Sequence, residues 1–306
     1  MSKTVHLIGC PVDSGKTRRG CLMGPDAFRT AGLPEALAEL GLNVKDTGNL
    51  ALPDLSSITP SGPGYKRVAN IGWTRVIADA SEAAFADGTP IFLGGDHSLS
   101  LGSVLGSARH AARLERPLFV LWLDAHSDFH TPLTSDSGNL HGTPLGYLTG
   151  REGFDDFPKV DHPVPQENIC IIGLRSVDLP ERQALQDSAI TYHDMRAIDE
   201  HGIARPLQAF LDKVKAANGL LHVSLDVDFI DPMFAPAVGT TVPGGATLRE
   251  AHLAMEMICD STLMSALDLV ELNPFLDDRG STANVMTDLA ASALGRRVFD
   301  RPTFSR

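Results

Sequence analysis

Short runs of apolar residues recur along the chain, and each run is five or six residues long. Val, Ile, Leu and Phe dominate these runs, and both alternating sets of positions are largely apolar. Strands with this pattern are buried on both faces, as in a parallel sheet covered by helices. The pattern predicts strands at residues 5–9, 90–94, 118–123, 169–174, 220–225 and 265–270.

Longer stretches between these strands have the spacing and start signals of helices. Thr247, for example, is a suitable cap before Leu248, Arg249 and Glu250. Strands alternating with helices predict an α/β fold with helices on both faces of the sheet. Because the alternation continues across the long loops 53–64 and 131–142, we expect one domain over residues 1–306. The predicted helices are residues 34–40, 68–85, 99–114, 180–187, 204–217, 248–260 and 281–294.

Charge, cysteine use and hydropathy narrow the class of protein. The chain carries 26 basic and 38 acidic side chains, a net charge of −12, whereas a general nucleic-acid binder is expected to be basic. Its four cysteines are widely spaced, which predicts free thiols in a reducing cytoplasm and no disulfide framework. No apolar run approaches the roughly 18 residues that span a bilayer, and none resembles a secretory signal. We therefore expect a cytoplasmic protein with no nucleic-acid or membrane partner.

Three of the predicted strands end in side chains that bind metal ions. In open α/β sheets, ligands bind beyond the carboxyl ends of the strands, and all of these side chains follow such an end. Within each motif they lie two residues apart, and in an extended chain every second side chain points the same way. We therefore expect one cleft to hold His97, Asp124, His126, Asp128, Asp226 and Asp228.

Four carboxylates in one cleft repel one another unless they are paired or bind metal. Their charge matches two divalent cations, and ions about 3.5–4 Å apart need bridging carboxylates. Asp124 and Asp226, the first aspartates of their motifs, are the natural bridges. Oxygen and imidazole donors without thiolate favour Mn²⁺ over Zn²⁺, and Co²⁺, Ni²⁺ or Fe²⁺ also fit. Since bound water ionises near neutral pH, hydrolysis is the predicted chemistry.

The remaining polar residues indicate which bond is cut. Phosphoester hydrolysis, the obvious alternative, normally uses Arg or Lys to hold a phosphate, and none of the three motifs carries either. Glu271 follows the run at 265–270 instead, and a carboxylate there suits a guanidinium cation. In the loop 131–142, Ser137 and Asn139 can donate to a carboxylate, and His141 can move protons.

Taken together, the motifs resemble those of the ureohydrolase family. Its three signatures match Gly-Gly-Asp-His-Ser at 94–98, Asp-Ala-His-x-Asp at 124–128 and Ser-x-Asp-Val-Asp-x-x-Asp-Pro at 224–232. The segments 131–142 and 173–178 are similar to the arginase group within that family. The resemblance covers residue 9 to about residue 284. It implies a single-domain, three-layer αβα fold with a mostly parallel eight-stranded sheet.

The resemblance also implies a binuclear manganese hydrolase that forms homotrimers or homohexamers. Arg249 and Glu250 match a position used between subunits. A hydroxide bridging two Mn²⁺ ions would attack the guanidinium carbon of L-arginine and give L-ornithine and urea. The implied ligands are His97, Asp124, Asp128 and Asp226 for one ion, and Asp124, His126, Asp226 and Asp228 for the other.

Further roles follow from the same resemblance. Asp128 would carry the hydroxide's proton onward, His141 would shuttle protons at the cleft mouth, and Glu271 would orient the guanidinium group. The substrate's α-carboxylate and α-amino group would contact His130, Ser137, Asn139 and Asp178. His130 stands where many arginases have Asn, and Ser176 where many have Asp. Alternatives are hydrolysis of another guanidino compound, either agmatine or a guanidino acid, and a catalytically inactive metal-binding relative.

Overall fold

The computed structural model describes residues 3–297, and an eight-stranded sheet runs through its centre. Every strand pairing is parallel, in the order β2-β1-β3-β8-β7-β4-β5-β6, which confirms the α/β class and makes the sheet parallel throughout. Residues 1–2 and 298–306 of the predicted domain lie outside the described part. The strands are β1 (Thr4–Cys10), β2 (Asn43–Asn49), β3 (Thr89–Gly94), β4 (Leu118–Leu123), β5 (Ile169–Leu174), β6 (Thr191–Asp194), β7 (Leu220–Asp226) and β8 (Met264–Val270).

The six strands predicted from apolar runs are confirmed, whereas the apolar pattern missed the two edge strands. β2 and β6 are largely exposed and polar, with the sequences Asn-Val-Lys-Asp-Thr-Gly-Asn and Thr-Tyr-His-Asp. Each pairs with one neighbour only, β2 with β1 and β6 with β5. An edge strand does not need two apolar faces, so hydrophobicity alone could not detect it.

Helices cover both faces of the sheet. The seven predicted helices are confirmed with bounds within one residue, and Thr247 forms a capping box with Glu250. The short helices α1, α5 and α7 were missed because five to seven residues are too few to show a helical period. The helices are α1 (Gly24–Thr30), α2 (Leu33–Glu39), α3 (Arg67–Ala84), α4 (Ser100–Arg113), α5 (Pro144–Leu148), α6 (Leu179–Gln186), α7 (Met195–His201), α8 (Ala204–Ala216), α9 (Leu248–Ser261) and α10 (Ser281–Ala293).

Successive residues of a strand point toward helices on opposite faces of the sheet. Both alternating sets of strand positions are therefore apolar. On β4, Phe119 and Leu121 pack in the core formed with α1, α2 and α7–α10. Val120 and Trp122 pack in the core formed with α3–α6. The result is three layers, αβα, as expected. Within residues 3–297, no helix combines the length and the apolar character that crossing a bilayer requires.

The chain order of the strands differs from their order in the sheet, and this brings the site together. β3, β8, β7 and β4 are adjacent at the centre of the sheet, although they are distant in sequence. Parallel strands end at the same edge of the sheet, so the residues that follow these four strands lie close together at that edge. This adjacency could not be deduced from the strand pattern alone.

A buried polar network fastens α4 to the centre of the sheet. Ser100 and Ser103 donate to Asp268 Oδ2 at 2.6 and 2.7 Å, and His222 Nε2 lies 3.1 Å from the same oxygen. Ser107 Oγ lies 2.8 Å from His222 Nδ1. The network joins Ser, His and Asp side chains, which are the residue types of a catalytic triad. All five side chains are at most 1% exposed, so the network is closed to substrate and holds the fold together.

Candidate metal centre

The first group of predicted ligands surrounds the His97 imidazole. His97 begins a single 3₁₀ turn just after β3, Asp124 follows β4, and Asp226 is the last residue of β7. His97 Nδ1 lies 3.1, 2.9 and 3.0 Å from the Oδ2 atoms of Asp124, Asp128 and Asp226. One imidazole nitrogen therefore faces three carboxylate oxygens.

A second group lies beside the first and shares Asp124 with it. His126 Nδ1 lies 3.0 Å from Asp228 Oδ2 and 3.4 Å from Asp124 Oδ1. Asp124 thus directs one oxygen to each group, as a bridging ligand does. Asp226 directs Oδ2 to the first group, but its Oδ1 accepts the Asp228 N–H at 2.8 Å.

The unpaired atoms of this cluster fit divalent cations. His97 Nδ1, Asp124 Oδ2 and Asp128 Oδ2 are buried and have no hydrogen-bond partner among the described residues. Within residues 3–297, no lysine or arginine forms an ion pair with the four aspartates, which pair only with His97 and His126. Four buried carboxylates in ion pairs with two imidazoles alone require a further source of positive charge, and oxygen and imidazole donors suit a divalent metal.

The ligands converge, but for a different reason from the predicted one. The sequence suggested extended chain with alternating side chains, and that conformation is wrong. The chain turns directly after Leu123, Asp128 has a left-handed φ of 45°, and Val227–Phe229 is a 3₁₀ turn. The Asp128 carbonyl accepts the Leu145 N–H at 3.0 Å, which fixes the turn. Such conformations are uncommon outside glycine and concentrate at functional sites.

Neighbouring groups hold the ligands in position. Ser224 Oγ lies 2.8 Å from His97 Nε2, and the Trp122 ring stacks on the imidazole with centroids 4.2 Å apart. When Nε2 donates to Ser224, Nδ1 presents a lone pair to the carboxylates, as in a metal-binding histidine. Ser224 is the first residue of the motif at 224–232, whereas no pattern in the sequence indicated Trp122. Ala125 N–H donates to Asp228 Oδ1 at 3.0 Å.

The pKa shifts in the cluster show that its carboxylates lie close to one another. Burial and the neighbouring Asp124 carboxylate raise the pKa of Asp128 to about 6. Burial and the Asp228 and Asp124 carboxylates raise the pKa of Asp226 well above its usual value. Burial alone would lower the pKa of His97, but Asp128 and the other aspartates raise it far above normal. The cluster therefore retains positive charge, either as protons or as metal ions.

Glu271, just beyond β8, has a basic partner. Its Oε2 forms an ion pair with Lys16 Nζ, and both side chains are at most 4% exposed. Oε1 accepts the His97 N–H at 2.9 Å and lies 3.1 Å from His141 Nδ1. Burial opposes ionisation, but Lys16 and His141 hold the pKa of Glu271 well below its usual value. The sequence did not indicate Lys16 as a site residue.

The predicted substrate residues line the same cleft of about 300 Å³, at the lower end of the range for small-molecule sites. His130 Nε2 lies 2.9 Å from Asp178 Oδ2, so these two residues contact each other. Asn139 N–H donates to the exposed Ser137 Oγ at 3.2 Å, and Asn139 Oδ1 is buried without a partner among described residues. Glu181, which also lines the cleft, was missed because nothing in its helix marks it.

Comparison with known proteins extends over nearly the whole chain. Residues 3–295 match the sequence profile of the Arginase family. A protein named arginase from Brucella melitensis is 56% identical over 301 residues, 98% of each chain. An arginase from Agrobacterium fabrum is 55% identical over 305 residues, 98% of this chain and 94% of that one. The solved structure of the Bacillus caldovelox arginase has a TM-score of 0.90 at 36% identity, covering 97% of this chain and 99% of that one.

Proposed function

Because this chain belongs to the arginase family, we propose that it hydrolyses the guanidinium group of L-arginine to L-ornithine and urea. The observation that carries the proposal is the pairing of two sites in one cleft. Six candidate ligand side chains, three of which have a buried atom without a hydrogen-bond partner, cluster beside Glu271, a carboxylate suited to a guanidinium cation. The first site supplies hydrolytic chemistry and the second supplies recognition of the group to be cleaved.

The two ligand groups would hold two divalent ions per chain, and their donors favour manganese. His97, Asp124, Asp128 and Asp226 would bind one ion, and Asp124, His126 and Asp228 the other, with Asp226 as the predicted second bridge. When bound, such ions supply a water ionised near neutral pH and Lewis acidity toward the bond to be cleaved. Co²⁺ fits the same donors.

Residues of the chain would then position the substrate and move protons. Asp128 lines the cleft and directs Oδ2 to the ligand cluster, so its carboxylate can accept the proton that the attacking water loses. The His141 side chain is 24% exposed and contacts Glu271, so it can exchange a proton with solvent and deliver it to the leaving amine.

Glu271 would orient the guanidinium group through its remaining hydrogen-bonding capacity. A carboxylate accepts about four hydrogen bonds, and Lys16, His97 N–H and His141 occupy three sites. The Cys21 thiol, a weak donor, lies 3.7 Å from Oε2 and 3.6 Å from the Glu271 carbonyl oxygen. The Lys16 ammonium keeps the carboxylate ionised, and when the thiol donates to the carbonyl, one position is open to an N–H of the substrate. At the cleft mouth, Ser137, Asn139 and His130 are proposed to contact the α-carboxylate, and Asp178 the α-amino group.

Three further features remain proposals. Arg249 is exposed at the start of α9, which supports the predicted homotrimer or homohexamer. Glu250, the second predicted interface residue, is engaged in the helix cap, where it accepts from Thr247. All four cysteines are free thiols, which supports a reducing cytoplasm. One domain over residues 1–306 also stays a prediction.

Urea release by the Mn²⁺-loaded protein tests the function, with three substrates that differ at one end. L-Arginine has both α groups, agmatine lacks the carboxylate, and 4-guanidinobutyrate lacks the amino group and one methylene group. We expect the highest kcat/KM with L-arginine. Faster hydrolysis of agmatine or 4-guanidinobutyrate would contradict the substrate assignment, and a metal-loaded protein inactive on all three would indicate a non-catalytic relative.

Asp178→Asn provides the matched variant for this panel. If Asp178 holds the α-amino group, the substitution lowers kcat/KM for L-arginine and leaves 4-guanidinobutyrate nearly unaffected. An equal loss on both substrates would assign Asp178 to the structure of the cleft instead of amino-group recognition.

A further inference from the structure

A second set of metal-ligating atoms lies at the cleft mouth, apart from the six candidate ligands at its floor. His130 Nε2, Asp178 Oδ2 and Glu181 Oε2 all lie within 4.8 Å of one another. Nε2 is 2.9 Å from the aspartate oxygen and 3.7 Å from the glutamate oxygen. These separations match those between neighbouring ligands of one ion whose bonds are about 2.0–2.2 Å long.

In each of these three side chains, the second polar atom forms a hydrogen bond within the protein. His130 Nδ1 lies 3.0 Å from Thr134 Oγ1, and Asp178 Oδ1 accepts the Glu181 N–H at 3.0 Å. Glu181 Oε1 accepts from Ser127 Oγ at 2.5 Å and from a backbone N–H at 3.2 Å. Outer hydrogen bonds of this kind orient the ligands of metal sites. They leave Nε2, Oδ2 and Oε2 as the atoms that point toward one another.

Glu181 supplies the observation that a simple ion pair does not explain. Its side chain is 8% exposed, and no described residue donates a hydrogen bond to Oε2. His130 Nε2 lies 3.7 Å away, and Arg151, which acts on Glu181 through its charge, donates to the Phe129 carbonyl and stacks on the Phe129 ring. A largely buried carboxylate whose free oxygen borders the cleft is stabilised when a cation completes its environment.

We propose that His130, Asp178 and Glu181 form a third divalent-cation site, in which a bound ion blocks the cleft mouth against the substrate's α-amino group. One imidazole nitrogen and two carboxylate oxygens suit Zn²⁺ or a similar ion with open positions toward the cleft. Asp178 is also the residue proposed to bind the α-amino group, so ion and substrate exclude each other there. This inhibitory consequence rests on the proposed function, whereas the binding site itself does not.

Counting ions tests the site without any assay of activity. Mn²⁺-loaded protein is dialysed against buffered free Zn²⁺, and manganese plus zinc per chain is measured by mass spectrometry. We expect three ions per chain in the wild type and two in His130→Asn. The matched control His201→Asn removes an exposed histidine from the end of α7 and should retain three.

Two further measurements separate ion binding from general structural effects. Thr134→Val removes the partner of His130 Nδ1, and we expect it to weaken binding of the third ion about 10–100-fold while the other two remain bound. Free Zn²⁺ should raise the wild-type KM for L-arginine with little change in kcat, and should affect 4-guanidinobutyrate much less. This split reports competition at the α-amino group.

The outcomes distinguish this inference from the function on which it partly rests. Equal ion counts in wild type and His130→Asn would overturn the third site and show His130 and Asp178 to be an ordinary ion pair, whether or not urea is released. Loss of one ion in His130→Asn without urea release from any substrate would support the site and contradict the function.

Discussion

The four aspartates beyond β4 and β7 and the glutamate beyond β8 lie in one cleft, yet their negative charge is balanced in different ways. Among the described residues the aspartates form ion pairs only with His97 and His126, and two of their buried oxygens, on Asp124 and Asp128, have no hydrogen-bond partner. Glu271 has a buried lysine, Lys16, against one oxygen, and N–H groups against the other. Among the described residues, the first region has no lysine or arginine in an ion pair with its carboxylates, with Arg175 acting on them only through its charge, whereas the second has Lys16.

This difference separates recruitment of metal from recognition of substrate. A carboxylate cluster without basic side chains is stable only with protons or metal ions, so its composition selects divalent cations. A carboxylate with a permanent ammonium partner stays ionised whether or not metal is bound, so it can orient a cationic substrate throughout turnover. The following predictions change residues of the cleft and measure the effect on metal content, stability or catalysis.

Asp124→Ala should have the largest effect, because Asp124 directs one oxygen to each ligand group. Loss of a shared ligand costs more than the 10–100-fold typical of an outer partner, so we expect metal affinity and urea release to fall by more than about 100-fold. Metal content and kcat measure this, with circular dichroism as the control for folding. A variant that binds two ions and retains a tenth of the activity would remove Asp124 from the bridging position.

Lys16→Met should destabilise the fold while metal content is unchanged. Removing one partner of a buried ion pair leaves an uncompensated charge, which costs about 3–5 kcal/mol of the free energy of unfolding. Urea denaturation of the metal-loaded protein measures this. Lys45→Met, which removes an exposed partner of Asp87, is the matched control and should change stability far less.

The double variant Lys16→Met/Glu271→Met should regain most of the lost stability, since both charges are then absent. Equal destabilisation by Lys16→Met and Lys45→Met would show that the Lys16–Glu271 pair is not energetically distinct from a surface pair.

Glu271→Gln should reduce catalysis and spare the metal ions. It removes a charged hydrogen-bond partner of the guanidinium group, an interaction of about 1.5–3 kcal/mol, so kcat/KM should fall roughly 10–150-fold. Metal content should stay at the wild-type value. Loss of a metal ion together with activity would mean that the two regions are not independent.

Ser224→Ala tests the cluster through the outer partner of His97. Without the hydrogen bond to Nε2, the imidazole loses its fixed orientation, and metal affinity should fall about 10–100-fold. Competition with a chelator measures the affinity, and kcat at saturating metal should recover. No change in affinity would indicate that stacking on Trp122 alone orients the ring.

His130→Asn should have the smallest effect on turnover. His130 lies at the mouth, away from the bond that is cleaved, so KM for L-arginine should change by a few-fold, equivalent to about 1 kcal/mol, with little change in kcat. A large fall in kcat with constant KM would place His130 in the chemical step.

The sequence predicted the cluster better than the second region, and the reason is physical. Asp124 and Asp226 directly follow the predicted apolar runs and His126 comes two residues after Asp124, so the rule that ligands bind at strand ends grouped them without any knowledge of the turns. Asp128 has a left-handed φ that no sequence pattern indicated, although its position in the motif grouped it with the other candidate ligands.

Contacts between residues that are distant in sequence and are brought together by the strand order could not be predicted. Lys16 meets Glu271 only because β1 lies beside β3 and β3 beside β8, a contact between residues 255 positions apart. Glu181 reaches the cleft only because α6 packs there. The polar edge strands β2 and β6 escaped detection for a similar reason, since pairing with a neighbour rather than hydrophobicity defines them.

The most direct test is anomalous diffraction at the manganese edge from crystals of protein loaded with stoichiometric Mn²⁺. We predict two peaks, one among His97 Nδ1 and the Asp124, Asp128 and Asp226 oxygens, and one among His126 Nδ1 and the Asp124 and Asp228 oxygens, with the Lys16–Glu271 pair intact. A single peak, or no peak with the aspartates hydrogen-bonded to one another, would contradict the claim that this cluster is balanced by two metal ions.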